Sequence, residues 1–136
     1  MKLAIKNLTR QSAPAIPFRA IAKRVLGTNY ELSLVLVGDR RSRTINRRWR
    51  DRDRPTNVLS FPLDQNSGEI FLNLGQRSTN YLRFLFIHGV LHLKGLRHGS
   101  KMESLENQLV KHFQTHEQND RRRARHRQRH RSGRRL

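Results

Sequence analysis

Cysteine is absent from the chain, so neither a disulfide nor a thiolate metal site is available to it. Any metal ion must therefore be held by histidine, by carboxylate or by backbone oxygen. A run of about 20 apolar residues, as a membrane-spanning helix needs, is also absent. The N-terminal segment MKLAIKNLTR lacks the sustained apolar stretch of a secretory signal. These absences predict a cytoplasmic protein that does not bind membranes.

Acidic residues are few and basic residues are many. Ten Asp and Glu stand against 29 Lys and Arg among 136 residues, a formal net charge of +19. Residues 121–136 contain nine arginines and no acid. This charge favours a polyanionic partner, foremost nucleic acid, through phosphate contacts and counterion release, although a solubility function is an alternative. We expect residues 1–120 to form one domain and residues 121–136 to be a disordered basic tail, because such a composition buries no core.

Hydrophobic periodicity predicts a mixed α+β fold in which a small sheet of about four strands packs with helices. Predicted strands cover residues 2–8, 30–37, 58–63 and 69–74, and a hairpin joins the last two. Predicted helices cover residues 18–26, 81–94 and 101–116, and another short helix follows the second strand. The last helix has apolar residues at core spacing, namely Met102, Leu105, Leu109, Val110 and Phe113.

Two of the predicted helices have identifiable ends. The short helix after the second strand has Asp39 or Ser42 as its N-cap and ends at Pro55. It carries Ile45 and Trp49 on one face. The helix over residues 81–94 starts near the cap candidates Ser78 and Thr79.

The most informative segment is this last helix, which carries two histidines and precedes a third. Four residues advance a side chain by only about 40° around a helix axis, so His88 and His92 share a face, one turn apart. Gly95 ends the helix and allows the chain to fold back, which can bring His98 round as a third ligand. Three protein ligands, with a fourth position left to water, are the layout of catalytic zinc. The sequence therefore predicts one zinc ion per chain, held on a helix and the loop after it.

The other histidines do not join this prediction. His112 and His116 have the same spacing but no third partner, so we interpret them as solvated. His126 and His130 lie among the tail arginines and belong with a polyanion-binding surface. In the zincin pattern H-E-x-x-H a glutamate next to the first histidine is the general base. Gly89 holds that place here, so zincin-type peptidase chemistry has lost its base.

The histidine segment resembles the hallmark H-G-x-L-H-L-x-G-x-D-H of the YbeY family of ribosomal RNA maturation factors. This chain reads His88-Gly-Val-Leu-His-Leu-Lys-Gly-Leu-Arg-His98 there. A second family signature, an arginine followed shortly by P-T-D-V-L-S-F-P, matches Arg50 and Pro55-Thr-Asn-Val-Leu-Ser-Phe-Pro62. Shorter likenesses are Ile45-Asn46, Trp49-Arg50, Gly68-Glu69-Ile70, and Met102 with Glu106. The resemblance covers about residues 30–113, in the family's order.

The resemblance implies an α+β fold, zinc on His88, His92 and His98, and cleavage of single-stranded RNA. It also implies work on ribosomal RNA and the small ribosomal subunit, in RNA maturation and ribosome quality control. Arg50 corresponds to an arginine that the family needs for activity, and we expect it to pair with a phosphate. We expect further substrate contacts in the cleft, from Thr56, Asn57 and Ser60.

Three departures from the family pattern leave alternatives open. Family aspartates are replaced by Asn57, Glu69 and Arg97. An arginine cannot accept a hydrogen bond from a ligand histidine, and such losses typically cost about 10- to 100-fold in metal affinity or activity. No carboxylate stands where a general base is expected. One rival is therefore a non-catalytic, zinc-containing RNA- or ribosome-binding factor, and another is a metal hydrolase of peptides or small molecules, which the net charge disfavours.

Overall fold

The structure, a computed structural model, describes residues 1–114 and contains four strands and four helices in that range. The elements are β1 (Lys2–Asn7), α1 (Phe18–Leu26), β2 (Glu31–Val37), α2 (Asp39–Arg50), β3 (Val58–Asp64), β4 (Ser67–Asn73) and α3 (Thr79–Leu93). A last helix, α4, covers residues 100–114. The predicted α+β class and all eight elements are confirmed. The expectations for the end of the last helix with His116, and for the basic tail with His126 and His130, fall outside the described residues.

The four strands form one mixed sheet in the order β1-β2-β4-β3. β1 and β4 both run parallel to β2, and β3 runs antiparallel to β4. The predicted hairpin between β3 and β4 is confirmed. The register of β3 against β4 shifts between Pro62 and Asp64. β3 is an edge strand, and a proline is tolerated there because its missing N–H need not pair with a neighbouring strand.

One face of the sheet carries the main core. Alternate residues of β2 and β4 point to this face, where α1, α3 and α4 cover them. Phe18 of α1 meets Phe86 of α3 edge to face, with ring centroids 4.8 Å apart. From α4, Met102 and Phe113 are buried, and the other three predicted core residues pack partly buried against the same cluster. The core spacing read from the sequence of α4 is therefore confirmed.

The opposite face of the sheet is covered by α2 alone among the described helices. The Ser60 hydroxyl bonds to α3, so its neighbour Phe61 points to the other side of the sheet. There Trp49 of α2 contacts Phe61, and Phe61 contacts Phe71, at centroid distances of 6.4 and 5.9 Å. α2 and α3 thus lie on opposite faces.

The predictions for the N-cap and for the C-terminal end of α2 were both wrong. The helix starts after Gly38, and no side chain caps it. The Ser42 hydroxyl instead lies inside the helix, where it donates to the carbonyl oxygen of Thr56 at 2.6 Å. At the other end Asp51 adopts a left-handed conformation with φ 52°, which stops the helix four residues before Pro55.

The face that α2 buries is polar. Its two buried side chains are Ser42 and Asn46, whereas Ile45 is half-buried and Trp49 is 66% exposed. The Ser42 hydroxyl and the Asn46 Nδ2 donate to backbone carbonyls, which offsets part of the cost of burying them, whereas the Asn46 Oδ1 is buried without a partner among the described residues. Apolar spacing alone therefore did not identify the inner face of this helix.

Candidate metal centre and adjoining groove

The central helix α3 sets the position of two histidines. The Ser78 hydroxyl accepts a hydrogen bond from the backbone N–H of Tyr81 and caps the helix, as predicted. Apolar side chains fix α3 in the core on most of its circumference. His88 and His92 project from the remaining face, and their Nε2 atoms lie 2.9 Å apart. A buried, capped helix therefore holds this pair in a defined place.

A glycine turn returns the chain to these histidines. Gly95 has φ 101°, a conformation that glycine adopts without strain. The N–H of Gly95 bonds to the carbonyl of His92, and the N–H of Leu96 bonds to that of Leu91. This pair of bonds is a Schellman motif, and it reverses the chain after the helix. His98 follows in the loop, as the sequence predicted.

The three histidines converge on one point. The ring centroids of His88 and His92 lie 4.5 Å apart. The ring centroid of His98 lies 5.0 Å from that of His88 and 4.7 Å from that of His92. One nitrogen of each ring lies within 4.8 Å of the others. Tetrahedral zinc with bonds of ~2.0–2.1 Å keeps its nitrogens about 3.4 Å apart, a separation within this range. Within residues 1–114 this is the single cluster of three or more potential ligand groups.

The hydrogen bonds behind the rings fix which nitrogens face the cluster. His92 Nδ1 lies 3.0 Å from the carbonyl oxygen of Leu96, which can only accept, so Nδ1 carries the proton. His88 Nδ1 bonds to the carboxylate of Glu106 in the same way. With the proton on Nδ1, each ring presents an Nε2 lone pair to the same point. Two such lone pairs repel each other unless a cation lies between them, so the donor set fits a metal ion.

The local environment also favours neutral, metal-competent imidazole. Burial lowers the pKa of His92, and the neighbouring His88 and His98 lower it further. The Leu96 carbonyl and Glu106 act in the opposite direction but more weakly overall. A neutral ring is the form that binds metals.

Glu106 is the site residue whose role the sequence left open. It matched the family pattern, but its place was unknown because α4 is remote in sequence from α3. The structure buries its side chain to 7% exposure and bonds it to His88. His88 and His92 thus obtain their orienting partners from Glu106 and Leu96. The family aspartate that Arg97 replaces is not needed for either of these two rings.

Gly89 lets the ligand helix approach the sheet closely. A Cβ at this position would lie 3.0 Å from the Ser60 hydroxyl and 3.1 Å from a methyl group of Val58. The Ser60 hydroxyl also donates to the Gly89 carbonyl at 2.9 Å. A Cβ here would require these side chains of β3 to give by a few tenths of an ångström. Close packing of α3 on β3 therefore favours glycine at the position of the zincin glutamate.

A groove of about 690 Å³ opens beside the histidines. It brings two of the predicted substrate contacts, Thr56 and Asn57, to the same cavity as His88 and His98. Ser60 and Arg50 are not part of its lining. Ser60 bonds to α3 instead, and Arg50 is exposed at the end of α2. Two carboxylates do line the groove, Glu103 and Glu106, which the sequence did not place there.

Buried polar side chains hold the wall of this groove. Asn46 donates from Nδ2 to the carbonyl of Arg54 at 2.9 Å. The carbonyl of Thr56 accepts from Ser42 and, at 3.1 Å, from Asn73. The segment from α2 to β3 is therefore fixed although it contains no regular structure. Sequence reasoning missed Asn73, because a strand-end asparagine carries no distinguishing pattern.

Asn57, at the position of a family aspartate, is engaged at both ends of its amide. Arg77 Nη2 donates to its Oδ1 at 2.6 Å, and its Nδ2 donates to the Tyr81 hydroxyl at 3.2 Å. Tyr81 stacks on Phe84, with centroids 6.3 Å apart, and Phe84 lies 6.2 Å from the His88 ring. A row of rings along α3 therefore leads from Asn57 to the histidine cluster.

Together, the fold and the site define a small α+β protein whose three clustered histidines could hold a metal ion beside an open groove. None of the helices within residues 1–114 has the length and hydropathy that crossing a membrane requires. A family model described as endoribonuclease YbeY matches residues 4–114. The chain belongs to the YbeY family, and by that membership it is classed with the nucleases, which are hydrolases.

Individual relatives agree with this assignment. Endoribonuclease YbeY of Azorhizobium caulinodans is 36% identical over 103 residues, which cover 59% of this chain and 65% of that protein. The Helicobacter pylori protein of the same name is 36% identical over 82% of this chain and 91% of its own length. The solution structure of TM1509 from Thermotoga maritima is similar in fold, with a TM-score of 0.62 and 21% identity, over 87% of this chain and 93% of that one.

Proposed function

We propose that the protein is a zinc-dependent endoribonuclease that cleaves single-stranded RNA and acts in the maturation of ribosomal RNA. The observation that carries the proposal is the groove beside the three histidines, in a chain of net charge +19. The proposal includes the small ribosomal subunit as the site of action, a role in ribosome quality control, and hence the cytoplasm. Relatives named endoribonuclease YbeY support the activity.

Zinc is the metal that we propose for the centre. His88, His92 and His98 would hold it, one ion per chain, and leave a further position open towards the groove. Three neutral imidazoles without a thiolate are a ligand set that catalytic zinc uses. When bound there, zinc acidifies a water molecule or polarises a phosphoryl oxygen.

The protein's own residues orient the substrate and the ligands. Glu106 keeps the proton of His88 on Nδ1, and the Leu96 carbonyl does the same for His92. Arg50 is exposed at the end of α2, where its guanidinium can reach a phosphate. A guanidinium pairs with two phosphate oxygens at once, and it stabilises charge that develops on them.

Selectivity for single strands would follow from the lining of the groove. Its wall includes the apolar side chains of Val58, Leu85 and Phe84, next to the amide of Asn57 and the hydroxyl of Thr56. An unpaired base can turn into such a lining and stack on a ring, whereas a base in a duplex is already paired and stacked. Ser60 remains a proposed substrate contact, although its hydroxyl is engaged with α3.

One observation favours a second candidate, a non-catalytic zinc-containing factor that binds RNA or the ribosome. Asn57 replaces a family carboxylate at the groove and is tied to Arg77 and Tyr81. An amide cannot take up a proton as a carboxylate can. The two functions share the metal and the RNA and differ only in cleavage.

The deciding experiment compares Arg50→Ala with Arg52→Ala on single-stranded RNA at fixed salt. Arg52 is the matched control, since it is exposed and two residues away. Loss of a transition-state contact should lower the cleavage rate of Arg50→Ala by about 10²–10³-fold. Loss of one general phosphate contact should reduce the salt slope of Arg52→Ala by about one unit. Metal content should be unchanged in both.

Equal and small effects of the two substitutions would contradict the role of Arg50. Tight RNA binding without any cleavage by the zinc-loaded protein would contradict the enzyme and favour the second candidate. Duplex RNA of the same sequence serves as the control for strand selectivity, and cleavage of it at the same rate would remove that part of the proposal.

The arginine-rich segment 121–136 is proposed to add affinity that does not depend on sequence. Each phosphate that it neutralises releases counterions, so truncation after Asp120 should flatten the dependence of log affinity on log salt. An unchanged slope would favour the alternative that this segment serves solubility.

A further inference from the structure

A second aromatic surface lies away from the metal groove, at the end of α2. Trp49 is the single tryptophan of the chain and is 66% exposed. It occupies the last turn of α2, next to Arg50. A tryptophan that keeps two thirds of its surface in water contributes little burial energy there, so its packing does not explain its place.

Trp49 packs against Phe61, which in turn packs against Phe71. Phe61 touches its edge at a centroid distance of 6.4 Å with an interplanar angle of 61°. Phe71 in turn supports Phe61 at 5.9 Å. Both phenylalanines are half-buried on the sheet face opposite α3. The supported ring is therefore held in orientation while its surface remains open.

The surroundings of Trp49 are strongly basic. Residues 39–54 contain eight arginines and three aspartates, a formal charge of +5. Two of these acids are engaged, Asp39 with Asn73 and Asp53 with Arg43. The Arg48 guanidinium lies 5.6 Å from the centre of the Trp49 ring. An open aromatic ring framed by uncompensated arginines has the composition of a single-stranded nucleic-acid surface.

We propose that Trp49, backed by Phe61, is a stacking site for an unpaired base of single-stranded RNA, outside the metal groove. The arginines of α2 would bind the flanking phosphates. The proposal rests on RNA being the substrate class. Residues 50–57 connect Trp49 in sequence to Thr56 and Asn57, which line the groove.

Charge favours RNA over a protein as the occupant. One acid on the same sheet face is Glu69, the strand partner of Phe61, which accepts a hydrogen bond from Ser33. The arginines lie on α2. The phosphates would therefore run along α2, with the base on Trp49. A docking protein would need a strongly acidic surface to match.

The fluorescence of the wild-type, metal-loaded protein tests the proposal directly, because Trp49 is the only tryptophan. A single-stranded RNA oligonucleotide should quench this emission as its base stacks on the ring. Inorganic polyphosphate carries the charge without bases, and it should bind without quenching. Equal quenching by both, or by neither, would overturn the proposal.

The variant Trp49→Leu provides the second arm, with Trp49→Phe as the conservative control. Stacking of one base predicts a loss of roughly 5- to 100-fold in affinity for single-stranded RNA in Trp49→Leu. Trp49→Phe should retain most of the affinity, and polyphosphate should bind all three proteins equally. Unchanged RNA binding by Trp49→Leu would overturn the stacking site and point to a protein partner for this surface. In that case RNA cleavage by the wild-type protein would still support the proposed function. If the wild-type protein neither bound nor cleaved RNA, the proposed function itself would be overturned.

Discussion

The two faces of the sheet are built on different principles. On the α3 face, apolar side chains fill a continuous core, and two of the three candidate metal ligands, His88 and His92, lie on a helix inside it. On the α2 face, a short arginine-rich helix covers part of the sheet with buried serine and asparagine, and its aromatic residue stays exposed. The first face brings three imidazole rings together, with one nitrogen of each within 4.8 Å of the others. The second provides charge and rings over a wide area.

This difference separates two kinds of function. A metal centre requires donor atoms at fixed distances, so its histidines need a rigid helix and partners behind each ring. Attraction of a polyanion requires only density of charge and tolerates movement of each side chain. We therefore expect substitutions on the α3 face to act on stability and metal binding. Those on the α2 face, apart from Arg50, should act mainly on RNA binding.

One phenylalanine from each face shows how much the two faces differ in their contribution to the free energy of unfolding, where we expect the largest difference. Phe86 is fully buried in the main core, so Phe86→Ala should cost about 3–5 kcal/mol of unfolding free energy. Phe61 is half-buried, so Phe61→Ala should cost about 1–2 kcal/mol, in proportion to the smaller area that it removes from water. Urea denaturation monitored by circular dichroism measures both. Equal losses would show that the two faces contribute equally to the free energy of unfolding.

The next effect concerns the residue behind His88. Glu106→Ala removes the acceptor that keeps the His88 proton on Nδ1, so metal affinity should fall roughly 10- to 100-fold. Glu103 lines the same groove but is exposed, and Glu103→Ala should change metal affinity much less. Competition with a chelator of known affinity gives both values. A similar fall in the two variants would mean that general negative charge, and not the bond to His88, holds the metal.

Sequence patterns predicted the α3 face better than the α2 face, for a physical reason. Core helices bury apolar residues at helical spacing, which fixed the positions of α3 and α4. The inner face of α2 is polar, and its buried Ser42 and Asn46 donate to backbone carbonyls that only the folded chain brings near. The same holds for Glu106, whose partner lies 18 residues away. Contacts of this kind leave no periodic signal.

The smallest effect tests the turn that delivers the third histidine. Gly95→Ala introduces a Cβ into open space, so the only cost is the strain of φ 101°. That strain should amount to about 1–2 kcal/mol, divided between stability and the placement of His98. The equivalent change at Gly38, which has an extended backbone and open space, should be nearly neutral. If thermal unfolding and metal affinity stay unchanged in Gly95→Ala, the turn does not hold His98 in place.

Elemental analysis of the purified protein shows whether His88, His92 and His98 form one metal centre, with His92→Ala and His112→Ala as a matched pair of variants. His112 is an exposed histidine of α4 outside the cluster. We expect about one zinc per chain in the wild type and in His112→Ala, and almost none in His92→Ala. Full zinc content in His92→Ala would exclude His92 as a ligand and with it the three-histidine centre.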